Sequence, residues 1–231
     1  MRPACDRLAI VKKEFMAKDL RNLRRYTDLS TLFYLLAVRK LTLLNPSRWD
    51  DRNDSYCLRQ YGKAKGHNAV FALCFVQSSE RYHLWKVFGA GTSGVRIKFK
   101  RKALLEAVDK VPGLRHGKVE YVRLKKLEGS FEVDRLPFLK RYGFLGEEEY
   151  RLVYGSDKHY KDLPKVDIDI PSDCIESIKL NPWLDADLFE HVKNAIRKVD
   201  SCWRSLNVER SSLIDNERWR EFADRVSKTE K

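Results

Sequence analysis

The sequence has no C-x-x-C pair and no long apolar run, and nothing at its start reads as a leader. Its five cysteines, Cys5, Cys57, Cys74, Cys174 and Cys202, are dispersed. An odd, scattered set predicts reduced thiols rather than a disulfide framework. No two Cys or His side chains fall at zinc-ligand spacing, so no metal site is expected from them. The longest apolar candidate, Leu29 to Val38, contains Ser30 and Thr31 and falls well short of the ~20 residues that span a bilayer. Met1 to Lys13 is mixed and charged, without a signal peptide's apolar stretch or small-residue cleavage site. These absences predict a cytoplasmic chain with no membrane partner. Gly89-Ala90-Gly91-Thr92-Ser93-Gly94 lies between a helix and a strand. A phosphate-binding glycine loop needs the opposite order, which excludes a P-loop or a dinucleotide fingerprint.

What is present is charge. The 231 residues carry 46 basic and 33 acidic side chains, a net charge of +13. Hydrophobic residues still make up 43%, enough for a packed core, so the chain is folded rather than disordered. The positive field favours polyanions, nucleic acid first among them, and suits a charged dinucleotide too. The densest basic blocks, Lys12-Lys13, Arg24-Arg25, Lys98-Lys100-Arg101-Lys102 and Lys125-Lys126, are short. A solubilising surface explains them equally well.

Periodicity predicts an α+β fold, with a central mixed or antiparallel sheet, flanking helices and a helical C-terminal third. Helices are expected at 7–20, 31–39 (capped by Asp28 or Ser30), 80–88 (stopped at Gly89), 102–110, 186–198 and 216–226. Strands are expected at 23–27, 41–44, 69–76, 95–99, 119–122, 149–154 and 175–180. The run Ala69 to Val76 is apolar throughout and predicts a strand buried on both faces. Val95 to Phe99 alternates and predicts a half-buried one. Trp49 to Asp54, polar and aperiodic, is expected to be a loop. We expect one domain over 1–231, with a core at 21–155 and a helical extension at 184–231 packed on it.

Three constellations can carry chemistry. Asp51 and Asp54, with Asn53 between them, suit a divalent metal, or Asx turns and helix caps with Trp49 as an anchor. Ser78 and Ser79 follow a strand and precede a helix bearing Tyr82 and Trp85. That arrangement can hold a flat ring, although Trp85 also has the spacing of a core residue. Glu147-Glu148-Glu149 opens the strand that carries Arg151. A carboxylate there can stabilise a developing cation, or simply pair with Lys140, Arg141 or Arg151.

The ordered motifs resemble the domain of unknown function family 2971, over roughly residues 21 to 155. They are Arg24-Arg25-Tyr26-Thr27, Trp49-Asp50-Asp51-Arg52-Asn53-Asp54, Cys74-Phe75-Val76 with Trp85, Gly94 to Phe99, and Glu147 to Arg151. The chain departs from the family pattern at Arg52, where proline is usual, and at Val76, where serine is usual. Their order is also similar to that of ADP-ribosyltransferases. That resemblance implies NAD as substrate and a nucleic-acid or protein acceptor, with a role in phage defence or toxicity. It places Glu149 as the catalytic acid and Arg25, in the position of the usual His, as the group on the adenosine ribose or pyrophosphate. Tyr26 flanks Arg25. Ser78 or Ser79 would fill the middle motif, and Tyr82 or Trp85 would stack on nicotinamide. Lys140, Arg141 and Arg151 complete the candidate binding residues. Two alternatives stay open. One is a metal-dependent nuclease using Asp51, Asp54 and Glu149, with Lys140 on phosphate. The other is a non-catalytic nucleic-acid-binding or regulatory module.

Overall fold

A computed structural model describes residues 22–89, 91–127 and 131–229. The helix expected at 7–20 lies outside them. The first described element is β1 (Asn22–Asp28). Asp28 then caps α1 (Leu29–Val38), accepting the Thr31 backbone N–H at 2.7 Å, as its place before an apolar run predicts. β2 (Lys40–Leu44) follows.

The next element corrects an expectation. Trp49 to Asp54 is not a loop throughout. Asp51 is the N-cap of α2 (Arg52–Lys65) and accepts from the N–H groups of Asn53 and Asp54 at 3.0 and 3.3 Å. α2 has no apolar stripe to announce it, because its inward face carries the carboxylate of Asp54 beside Leu58 and Tyr61.

β3 (Ala69–Val76) is buried nearly throughout, as its composition predicts. α3 (Tyr82–Phe88) ends at Gly89, and β4 (Gly94–Lys100) follows. The strand is not half-buried as its alternation suggests, because Arg96 is also enclosed. The turn between α3 and β4 depends on Gly94, where a Cβ would lie 1.7 Å from the Gly89 carbonyl oxygen. A backbone atom cannot yield as a flexible side chain does. Gly94→Ala is therefore expected to cost about 1–3 kcal/mol, read as a shift in the urea midpoint.

α4 (Arg101–Val108) leads to β5 (Leu114–Lys118) and β6 (Glu120–Val122). β6 is the strand expected at 119–122, and β5 is a further strand lying wholly ahead of that range. β7 (Leu139–Arg141), β8 (Glu149–Ser156), β9 (Lys165–Asp169) and β10 (Ile175–Leu180) complete the middle of the chain. The last third holds the two expected helices, α5 (Ala186–Lys198) and α6 (Glu217–Thr229). It also holds β11 (Asn207–Arg210), which pairs in parallel with β10.

Among the described residues nine strands form one mixed sheet, with β11, β10, β4, β1, β3, β2 and β9 in order, and with β8 between β3 and β5. Helices cover both faces. On one face Phe71, Leu73 and Phe75 of β3 pack with Leu32, Leu36, Leu104 and Ile196. On the other, Leu58 and Tyr61 of α2 cover Val70, Ala72 and Val153, while Leu84 and Trp85 of α3 cover Tyr26 and Val76. Each large apolar side chain enclosed this way contributes about 1.5–3 kcal/mol, so β3 is pinned from both sides. No helix among the described residues is long and apolar enough to cross a membrane.

The sheet is split at β3. One edge of β3 is filled along its whole length by β8, from Ala69↔Ser156 to Val76↔Glu149. The other edge is shared: β2 meets it at Ala72 and β1 at Val76. Between these two points β1 and β2 diverge, and Leu73, Cys74 and Phe75 face a cavity.

Candidate active site in the split of the sheet

The cavity holds about 470 Å3, within the usual range for a small-molecule site. Three families of side chains meet there. Arg25 and Tyr26 come from β1, Asp51 and Asp54 from the start of α2, and Lys140, Phe144, Glu147 and Glu149 from the segment ahead of β8. Trp49, Leu44, Val87 and Phe88 supply apolar wall.

Beneath the cavity lies a buried ion cluster centred on Arg151, whose side chain is fully enclosed. Its Nη1 and Nη2 donate to the two oxygens of Asp54 at 2.8 and 2.6 Å. Its Nε donates to Glu149 Oε1 at 2.6 Å, and Nη1 also reaches the Pro137 carbonyl at 2.8 Å. The Trp49 ring lies 5.3 Å from the guanidinium carbon. Lys140 joins the acids from the other side, 2.5 Å from Glu147, 3.3 Å from Glu149 and 3.7 Å from Asp54. The αL conformation of Glu148, φ 45°, turns the chain so that Glu147 and Glu149 both reach Lys140, although β8 begins only at Glu149.

Burial by itself would raise the Glu149 carboxyl, but the charge and hydrogen bonds of Arg151, then Lys140, outweigh it and hold the group down at about 2. Glu149 is therefore an anion at neutral pH. Burial raises the Cys74 thiol well above its ordinary range, and the neighbouring Glu149 carboxylate adds to that. It is no nucleophile at neutral pH. Sequence reasoning missed Tyr121, whose hydroxyl accepts the Glu149 backbone N–H at 2.8 Å. An isolated tyrosine 28 residues away leaves no local pattern to find it by.

Arg25 has the opposite character. Its Nη1 is buried without a hydrogen bond, and it makes no ion pair among the described residues. Burial lowers its pKa to about 10 against the smaller influences of Cys74 and Asp28, so it stays a cation. Arg25 as a whole is half-buried, but a cationic N–H group that is buried without a hydrogen bond is costly, and an anionic ligand in the cavity would relieve that cost.

The remaining candidates fall elsewhere. Trp85 is 1% exposed; it packs edge-on to Tyr26 at 5.0 Å and donates Nε1–H to Glu80 at 2.8 Å. Ser78 is buried, and its hydroxyl has no partner among the described residues. Ser79 lines a separate trough. Tyr82 is 53% exposed and lies against Trp183. Arg141 points outward from β7. Arg151 supports Asp54 and Glu149 from below rather than facing the cavity. For the nuclease reading, Asp51 uses Oδ1 in capping α2 and keeps a buried Oδ2 without a hydrogen bond among the described residues, while Asp54 and Glu149 close on one guanidinium that a divalent ion would have to displace. Among the described residues no three His, Cys, Asp or Glu side chains are grouped to hold a metal.

No family model and no curated protein matches the chain, so the resemblance to family 2971 gains no support there. Among solved structures the chain is similar to "Thermus sp. 2.9 DarT in complex with NAD+". The identity is 13%, over 83% of this chain and 96% of that one, with a TM-score of 0.42. It is similar also to "Thermus sp. 2.9 DarT in complex with ADP-ribosylated ssDNA", at 15% identity over 84% and 95%, with a TM-score of 0.41. Likeness of this degree decides neither fold nor chemistry, which rest on the residues of this chain.

Proposed function

We propose that the chain is an ADP-ribosyltransferase-like enzyme that takes NAD into the split of its sheet and passes ADP-ribose to a nucleic-acid acceptor. One observation carries this reading: an unpaired Arg25 cation and an ionised Glu149 carboxylate, from separate strands, line one cavity. The two ends of a nucleotide substrate need those opposite charges. The pyrophosphate supplies anions for Arg25, and the nicotinamide ribose supplies a hydroxyl donor for Glu149. As the C1′–N bond breaks, nicotinamide leaves with the electron pair and positive charge grows at C1′. A carboxylate fixed by Arg151 and Lys140 stabilises that charge without having to reorganise. The acceptor nucleophile then bonds to C1′ and releases its proton to solvent.

The test is direct. Purified protein is incubated with NAD and with single-stranded DNA, duplex DNA, RNA or protein acceptors, and free nicotinamide and modified acceptor are measured. Protein that neither binds NAD nor releases nicotinamide with any acceptor removes the reading. Arg25→Gln adds a sharper check. Losing hydrogen bonds from a charged donor, worth about 1.5–3 kcal/mol, should weaken NAD binding by roughly 10- to 150-fold in calorimetry. Because the substitution removes a buried guanidinium N–H group that makes no hydrogen bond, the ligand-free protein should melt no lower than wild type. A weakened fold with unchanged NAD binding would make Arg25 structural.

A further inference from the structure

A second concavity lies on the same face of the sheet as Glu149. Arg24 is opposite Val76, and Val76 opposite Glu149, so their side chains share that face. Register sets Arg24, Lys98 and Ser177 abreast, with Arg96 and Lys179 abreast one pleat further on. Together with Ser79 they line a trough of about 400 Å3. A sheet face open to water ordinarily carries its arginines exposed. Here Arg24 and Arg96 are only 5% and 7% exposed, and the buried Nε of Arg96 makes no hydrogen bond among the described residues.

Acids are present but engaged. Glu80 accepts from Trp85 Nε1 at 2.8 Å, from Lys179 at 3.1 Å and from the Ser211 hydroxyl, and lies 3.9 Å from Arg96. Glu176 accepts from Lys98. Glu209 also lines the trough. Arg24 donates to the Gln77 carbonyl oxygen at 2.6 Å. Among the described residues the trough is lined by four cations, three carboxylates and two hydroxyls. Between trough and cavity runs α3, whose Val87 and Phe88 line the cavity. Its exposed Tyr82 and its Lys86 meet Trp183, with the ammonium 3.9 Å from the ring centre. Such an aromatic and cationic ridge suits stacked bases.

We propose that the trough binds a backbone phosphate of a single-stranded nucleic-acid acceptor whose neighbouring nucleotide enters the cavity. The part played by the cavity rests on the ADP-ribosyl-transfer reading; the trough itself does not. The experiment follows binding of a short, fluorescently labelled single-stranded oligonucleotide by anisotropy, across a salt series. The proteins are wild type, Lys179→Gln and the double variant Lys98→Gln/Lys179→Gln, each first checked by circular dichroism for an intact fold. Wild type should bind, and the double variant should bind roughly tenfold more weakly. Its log–log salt slope should be shallower by ~0.7 for each phosphate that is no longer neutralised. If the double variant fails to fold, Lys179→Gln alone should show a smaller loss of the same kind. Equal affinity of wild type and variants, or no binding by wild type, overturns the proposal. Displacement of the oligonucleotide by inorganic phosphate or ADP at equivalent phosphate concentration would make this a free-anion site and overturn the strand reading. NAD binding is measured on the same proteins. Oligonucleotide binding that follows the expected pattern while NAD does not bind would sink the transfer reading and leave the trough standing.

Discussion

Replacing Arg151 with methionine is expected to destabilise the fold by about 3–5 kcal/mol. The side chain fits, so the cost is electrostatic. Asp54 loses both of its guanidinium hydrogen bonds, and Glu149 loses its shortest one. Both carboxylates are 3% exposed, so water cannot replace those bonds. Lys140 remains, but a single ammonium then faces Asp54, Glu147 and Glu149. A control separates electrostatics from packing. In Asp54→Leu/Arg151→Met the bidentate pair is exchanged for apolar groups, and such exchanges are often neutral or better. The double variant should therefore unfold at a higher urea concentration than Arg151→Met alone. Additive losses would show that the cluster is held by shape rather than by charge.

That cluster also shows what one sequence can and cannot disclose. Ala69–Val76, Ile175–Leu180 and Ala186–Lys198 have the bounds expected of them, because apolar pattern and turn residues agree there. β5 and β11 have no such pattern. Their sequences, LRHGK and NVER, are polar, and they are strands because a neighbouring strand offers them hydrogen bonds. β9, KVDID, alternates as a strand does, yet it is not among the strands expected from the sequence. α2 is hidden for a related reason: its buried face serves an ion cluster instead of an apolar core. The polar run at Trp49 to Asp54 and the acidic triplet before Tyr150 are each legible as candidates. Their union is not. Asp54 and Arg151 are 97 residues apart, and no local signal pairs them. Lys140, in sequence only a basic neighbour of the triplet, connects three acids in space. The split of the sheet, which creates the cavity, arises from where β1 and β2 meet β3, and no residue type encodes that.

Glu149→Gln is expected to lower kcat for nicotinamide release by roughly 100- to 1,000-fold while NAD affinity stays within a few-fold of wild type. Shape is preserved, and one oxygen can still accept from Arg151 Nε. What disappears is the negative charge opposite the C1′ centre. A group that acts only on the transition state should lower kcat and kcat/KM together, whereas a group that binds ground state and transition state alike should raise KM. Acid titration supplies a second criterion. Arg151 and Lys140 hold the Glu149 carboxyl at about 2, well below the ~4.3 of a free glutamic acid. Protonation of Glu149 in the free protein is therefore not expected to lower kcat/KM between pH 4 and 6, and the wild-type kcat/KM profile should carry no limb of that origin. Since the folded pKa is depressed, the stability Glu149 contributes is present above its unfolded value and lost only as pH falls from there toward 2. A fall of kcat/KM in the mildly acid range is therefore expected from other groups. The charge-stabilising role is lost if Glu149→Gln turns over NAD at the wild-type rate. It is also lost if NAD binding falls as far as kcat in a variant shown to be folded.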